Sequence, residues 1–130
     1  MALYVADTHA PLWYLGGSQV LGDAAKAAFE EVANGSGQVL IPAIVIAELI
    51  SLSEKRGREI DVNRIVDTLR SQPGFRLTDL SPEIVLGILP IVNLRDIHDR
   101  LIVSEAIAQG ATLITRDQSI TDSGLTPVVW

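Results

Sequence analysis

The sequence predicts an α/β fold built on a mostly parallel sheet covered on both faces. Short apolar runs such as Leu3-Tyr4-Val5-Ala6 and Ala111-Thr112-Leu113-Ile114-Thr115 alternate with longer stretches of helical spacing, the pattern of strand–helix–strand units. The runs are apolar throughout, so both faces of each strand need cover. A chain of 130 residues, 48% hydrophobic and 20% charged, suffices for one domain with its own core. No repeat or linker divides residues 1–130.

Each element has its own signal. Residues 3–6 read as the first strand. A short helix is expected over 8–15, closed by Gly16-Gly17, with Trp13 in the core. Residues 23–32 have helical spacing, with Ala24, Ala27, Ala28 and Val32 on the packed side. Asn34-Gly35-Ser36-Gly37 is a turn, too short for a phosphate loop and lacking its trailing Lys. Residues 38–41 give a second strand. Pro42 suits the first turn of a helix that runs to about residue 56 and stops at Gly57. Apolar residues surround Glu48 there, so this helix is expected to be heavily buried. Asp61 caps a further helix through Leu69. Gln72-Pro73-Gly74 then turns the chain into a third strand over 75–80.

Ser81-Pro82-Glu83 combines a capping Ser, Pro at the first helical position and an acid in the first turn. Pro90 limits that helix. The stretch Asp96-Ile97-His98-Asp99-Arg100-Leu101-Ile102-Val103 opens the next one, and Gly110 stops it. A fourth strand over 111–115, a loop or single helical turn over 117–123 and a short last strand within 125–130 complete the chain. The strands number about five.

Composition narrows the chemistry. There are no cysteines, which excludes disulfides, thiol catalysis and Cys-ligated metals and suits a reducing cytoplasm. Asp7 interrupts the start of the chain before a secretory apolar core could form, and no apolar run reaches membrane-spanning length, so a cytoplasmic protein without a membrane partner is expected. The net charge is −6, from sixteen acids and ten bases. That opposes nucleic-acid binding unless several acids are metal ligands rather than surface charge. Eight of the ten bases are Arg, suited to forked contacts with phosphate. Lys55, Arg56 and Arg58 cluster at a helix end, where bases are also favourable without any ligand.

The acids are the one well-populated catalytic class. Taken singly, Asp96 is a helix cap and Asp99 a first-turn acid. Asp7 and Asp117, however, both follow apolar strands, and ligands of open α/β sheets bind beyond the carboxyl ends of strands. Glu48 lies inside an apolar helix, where a charge is costly unless paired or bound. Four acids aimed at one crevice repel each other, and a divalent cation relieves this. An oxygen-only set suits Mg²⁺ or Mn²⁺, and phosphodiester hydrolysis is the natural reaction. There is no Gly-x-Ser-x-Gly elbow and no His-Glu-x-x-His.

Asp7-Thr8-His9 with Leu12-Trp13, Glu48 in the helix after the second strand, Asp96-x-x-Asp99-Arg100-Leu101-Ile102-Val103, and Leu113-Ile114-Thr115-Arg116-Asp117 together resemble the PIN-domain ribonucleases. The resemblance is strongest to VapC-type toxins of bacterial toxin–antitoxin pairs, and it covers nearly the whole chain in order. It implies a three-layer PIN-like sandwich and a Mg²⁺-dependent endoribonuclease acting on RNA, with an acidic pocket of Asp7, Glu48, Asp99 and Asp117. It further implies a homodimer and a small antitoxin that blocks the site. Asp96 matches as a helix-start and supporting residue. Thr8 and Thr115 match positions where a hydroxyl can orient water or a carboxylate. Arg100 would tie the acids together or meet phosphate.

This chain departs from the family pattern at Glu105, which could face solvent or the pocket, solvent being favoured, and at His98, which could touch RNA or pack. Residues 58–80 carry no family signature. An RNA-processing PIN nuclease without an antitoxin would show the same constellation; the shortness of the chain favours the toxin. A receiver-like signalling domain also binds Mg²⁺ at strand-end acids, but it needs a Lys after a late strand, and the only lysines are Lys26 and Lys55. A catalytically dead PIN-like module is opposed by the presence of all four acids.

Overall fold

Val5, Ala6, Val39, Leu40, Ile41, Leu113 and Ile114 are each at most 3% exposed, as strands covered on both faces require. They belong to a computed structural model that describes all 130 residues. The chain runs β1 (Ala2–Ala6), α1 (His9–Leu15), α2 (Asp23–Ala33), β2 (Gly37–Pro42), α3 (Ala43–Lys55), α4 (Val62–Ser71), β3 (Phe75–Thr78), α5 (Pro82–Leu86), α6 (Ile97–Gln109), β4 (Thr112–Ile114), α7 (Gln118–Ser123) and β5 (Val128–Val129). All strand pairs are parallel, in the order β3-β2-β1-β4-β5. Seven helices flank the sheet.

That order decides where a ligand can bind. The chain steps outward from β1 to β2 and β3, then returns to place β4 on the other side of β1. The crevice beyond the carboxyl ends of β1 and β4 is therefore a topological switch point. The order also differs from the 2-1-3-4-5 of flavodoxin-like folds, to which receiver domains belong. The receiver-like alternative is set aside on topology.

The expected caps are present. Asp61, Ser81 and Asp96 each accept a backbone N–H from the first turn of α4, α5 and α6. Gly110 ends α6 in the left-handed conformation, with φ 62°, which a residue with a Cβ adopts at a cost.

Four expectations are corrected. The packed face of α2 is Ala25, Ala28, Phe29 and Val32, whereas Ala24 and Ala27 are exposed. Phe29 sets that face by packing against both Tyr14 and Phe75, with centroids 4.6 and 5.9 Å away; alanines alone give no direction. Helix α3 is not heavily buried: Val45, Leu49 and Ser53 form one inward stripe, and Ile50 is 46% exposed. The third strand ends at Thr78, before Asp79 and Leu80.

The fourth correction is Glu105. It is 3% exposed, and its Oε1 has no hydrogen-bond partner. It lies in the buried run Leu101–Ala106 of α6, because that helix is covered on more than one face. A buried carboxylate oxygen without a donor costs roughly 1–3 kcal/mol. Glu105→Met keeps the length of the side chain and removes the unmet group. In urea denaturation it is expected to raise stability by about 1–2 kcal/mol; a loss of stability would mean that Glu105 has a partner it needs.

Candidate active site

Parallel register brings the first two acids together. Ala6 lies opposite Ile114, so Asp7 and Thr115 leave the sheet side by side, and the Asp7 N–H donates to the Ile114 carbonyl at 3.0 Å. The Thr115 hydroxyl donates to Asp7 Oδ2 at 2.6 Å and accepts the Asp117 N–H at 3.1 Å. Thr8 donates its N–H to Asp7 Oδ1 and its hydroxyl to Glu48 Oε1, both at 2.7 Å. Thr8 and Thr115 are 5% and 2% exposed. Two buried threonines thus fix two carboxylates, Asp7 after β1 and Glu48 on α3. Thr8 occupies the N-cap position of α1 yet makes no side-chain cap; its hydroxyl serves Glu48 instead.

Asp117 and Asp96 serve double roles. Asp117 Oδ1 caps α7, accepting the Ile120 N–H at 3.0 Å and the Ser119 hydroxyl at 2.5 Å. Asp96 Oδ1 accepts the N–H groups of His98 and Asp99 at 2.8 and 3.2 Å, which sets the start of α6 and the position of Asp99. Helix α6 packs against α3 and β1, so Asp99 faces the other acids.

Asp99 is half-buried and, unlike Asp7, Glu48 and Asp117, accepts no hydrogen bond from the protein. Burial first, then the negative charges of Asp117, Asp7, Asp96 and Glu48, push its pKa up from 3.8 to about 7. Desolvation and like charge both favour its neutral form. The acids of two strand ends and two helices therefore share one electrostatic field. As the side chains stand, no three of them are close enough to enclose an ion. The donor set nonetheless fits a hard divalent cation, since it offers carboxylate oxygens and no sulfur.

The remaining expected residues fall as follows. Arg100 does not tie the acids together. Its Nη2 donates to the Ile88 carbonyl at 2.9 Å, its Nε is buried without a partner, and it joins α6 to the segment after α5. His98, which pattern left open between RNA and packing, puts Nδ1 3.5 Å from Glu48 Oε2 and 3.9 Å from Asp96 Oδ1. Trp13 is half-buried at the edge of the core rather than inside it. A cleft of about 470 Å³ beside Glu48 is lined by His9, Ser51, Lys55, Asp96 and His98. A second, of about 280 Å³, opens over Asp7 and Asp117 between Trp13, Arg116 and Trp130. Sequence reasoning missed the His98–Glu48 contact, the support from Ser119 and the role of Trp130. Only the spacing of His9 and Trp13, one helical turn apart, hinted at any of this.

The PIN domain family model matches residues 4–123. Among solved structures, the chain is similar to VapBC2 from Rickettsia felis bound to a DNA fragment from their promoter, with 22% identity, 98% of this chain and 97% of that chain covered, and a TM-score of 0.69. It is similar to a toxin–antitoxin complex from Klebsiella pneumoniae, with 23% identity, coverage of 100% and 97%, and a TM-score of 0.69. It is also similar to Mycobacterium tuberculosis VapC20, described as a sarcin–ricin loop cleaving toxin, with 14% identity, coverage of 95% and 95%, and a TM-score of 0.68. At these identities the likeness is one of fold. No curated protein sequence matches.

The raised pKa of Asp99 has a consequence for stability. An acid whose pKa is higher in the fold holds its proton more tightly there than in the unfolded chain. Its contribution is therefore most favourable below 3.8 and is lost as pH rises to about 7. Thermal melts in EDTA should show wild type losing ground to Asp99→Asn across that window, with a constant gap above it. A gap that does not change with pH would contradict the shared field.

Proposed function

Because the chain belongs to the PIN-domain family, we propose that it is a Mg²⁺-dependent endoribonuclease, the toxin of a bacterial toxin–antitoxin pair. Asp7, Glu48, Asp99 and Asp117 hold the cation in this reading. The observation that carries it is Asp99, a half-buried acid without a donor, aimed at three other carboxylates at a topological switch point. A merely structural first-turn acid would face solvent or accept hydrogen bonds. One structural neighbour described as a toxin–antitoxin complex and another described as a sarcin–ricin loop cleaving toxin support the toxin over an RNA-processing nuclease.

Held by these carboxylates, Mg²⁺, or Mn²⁺ in its place, would supply the Lewis acidity for phosphodiester hydrolysis and offset charge on the departing oxygen. The chain's own residues prepare for this. Thr115 and Thr8 lock Asp7 and Glu48, leaving each carboxylate oxygen a lone pair for a further partner. Asp99, which burial and the neighbouring acids keep protonated up to about pH 7, would have to ionise to help hold the cation. Asp96 positions Asp99 through the helix start. Lys55 lines the cleft beside Glu48, and Arg116 that over Asp7 and Asp117. They place positive charge for RNA phosphates on a chain whose net charge is −6.

The same acidic pocket would receive a basic side chain of a small antitoxin near Asp7 and Asp99. A cleft of about 460 Å³ between α3 and α4, with Ile50, Ile60 and Val62 in its wall, offers such a partner an apolar hold. Exposed Leu86, Leu89, Val92 and Ile97 give a second copy an apolar surface, in keeping with a homodimer. No helix is long and apolar enough to cross a membrane, and the activity proposed would be exercised on cytoplasmic RNA.

Purified protein, freed of any partner, is expected to cut single-stranded or loop RNA with Mg²⁺ or Mn²⁺, to stop in EDTA and to lose cleavage in Asp7→Asn. It should sediment at twice the 14.0 kDa of one chain. Undiminished cleavage in EDTA would refute the metal mechanism, and a monomer would refute the dimer.

A further inference from the structure

The wall of the cleft over Asp7 and Asp117 is aromatic. His9 packs on Trp13 with centroids 4.8 Å apart and planes 31° from parallel. Trp130 meets Trp13 edge-on at 5.8 Å and 68°. The Arg116 guanidinium carbon lies 4.5 Å from the Trp13 ring centroid. A cluster of this kind could simply close the edge of the core. Three features argue for more. His9 and Arg116 are exposed and both tryptophans half-buried. All four border a cavity that also contains Asp7 and Asp117. Trp130 is seated by design of the backbone: the Thr115 N–H donates to the Val129 carbonyl at 3.2 Å, and a Cβ on Gly22 would lie 2.4 Å from the Trp130 carbonyl carbon and 2.7 Å from its ring.

We propose that Trp13, Trp130 and His9, with Arg116, form a subsite for one unpaired nucleobase of a single-stranded RNA, next to the phosphate held over Asp7 and Asp117. This rests on the ribonuclease reading above. Stacking on an aromatic face is open to every base and is available only where the strand is unpaired. It also answers the charge problem. With sixteen acids and ten bases, phosphate contacts alone attract RNA weakly, and stacking does not depend on net charge. A volume of about 280 Å³ lies just below the range of drug-sized ligand pockets, roughly 300–1,000 Å³, which suits one base and not a duplex. Arg116 rests on Trp13 by a cation–π contact that is weak at exposed sites. A base taking its place on the ring releases the guanidinium to the neighbouring phosphate.

The chain has only two tryptophans, and both are in this subsite, so tryptophan emission, excited where tyrosine does not absorb, reports on it alone. The probes are a short single-stranded RNA and an abasic strand of equal length, titrated in EDTA and again in Ca²⁺. The RNA is expected to quench tryptophan emission saturably. The abasic strand should leave emission unchanged and bind about tenfold more weakly. In cleavage assays Trp13→Leu should raise KM about tenfold with kcat nearly kept, and Trp13→Phe should restore much of the loss. Equal binding of the two strands without quenching, while RNA is still cleaved, would overturn the subsite and leave the ribonuclease standing. Protein that neither binds nor cuts RNA would overturn both. The wild-type comparison needs no variant, so a Trp13→Leu protein that melts early does not decide the question.

Discussion

The burial of Asp99 in the field of Asp117, Asp7, Asp96 and Glu48 is the constraint on which the candidate site depends. Asp7 and Asp117 stand at one cleft and Glu48 at the next, with His9 between them, on elements with other reasons to be where they are. Parallel register fixes Asp7 beside Thr115. The apolar stripe of Val45 and Leu49 holds α3 down so that Glu48 stays near the sheet's end. Asp96 starts α6 at a point that leaves Asp99 without a donor. The strain appears at Asp99, whose proton is retained to about pH 7, rather than in the backbone. Burial is its largest cause and four neighbouring charges add to it, so relief requires a cation or a proton.

Local rules are broken where the site needs their residues. Thr8 stands at a helix start and does not cap it, because its hydroxyl is used on Glu48. Thr115 spends its proton on Asp7 while accepting from Asp117, so one buried hydroxyl relates two strand-end acids. Asp117, by contrast, caps α7 with one oxygen and keeps the other for the cleft. Such departures from local preference are expected at functional positions and rare elsewhere in a consistent sequence.

Much of this was legible before any coordinates. Apolar strands with turn and cap signals gave the sheet, and Asp61, Ser81 and Asp96 cap as their spacing requires. The four acids could be singled out because each sits where a charge needs a reason, and the structure puts Asp99 in the electrostatic field of the other three. What pattern could not supply were facts of side-chain direction. Alanine-rich α2 shows its face only through Phe29. Glu105 looks like a solvent-facing acid until α6 is seen to be covered on more than one side. Arg100 lies beside Asp99 in sequence but reaches the Ile88 carbonyl, twelve residues back. His98 and Glu48 are fifty residues apart and meet only because α3 and α6 pack together.

The central claim is that the four carboxylates act as one cation site, and metal-dependent stability tests it most directly. Melting temperatures of wild type, Asp99→Asn and a control, Asp61→Asn, are compared with and without Mn²⁺ at neutral pH. A ligand at about 100 times its dissociation constant stabilises a fold by roughly 2.7 kcal/mol, a shift of several degrees for a domain of this size. Wild type and Asp61→Asn should gain that shift and Asp99→Asn only a small part of it. Equal shifts in all three proteins would contradict a shared site and leave Asp99 a first-turn acid of α6.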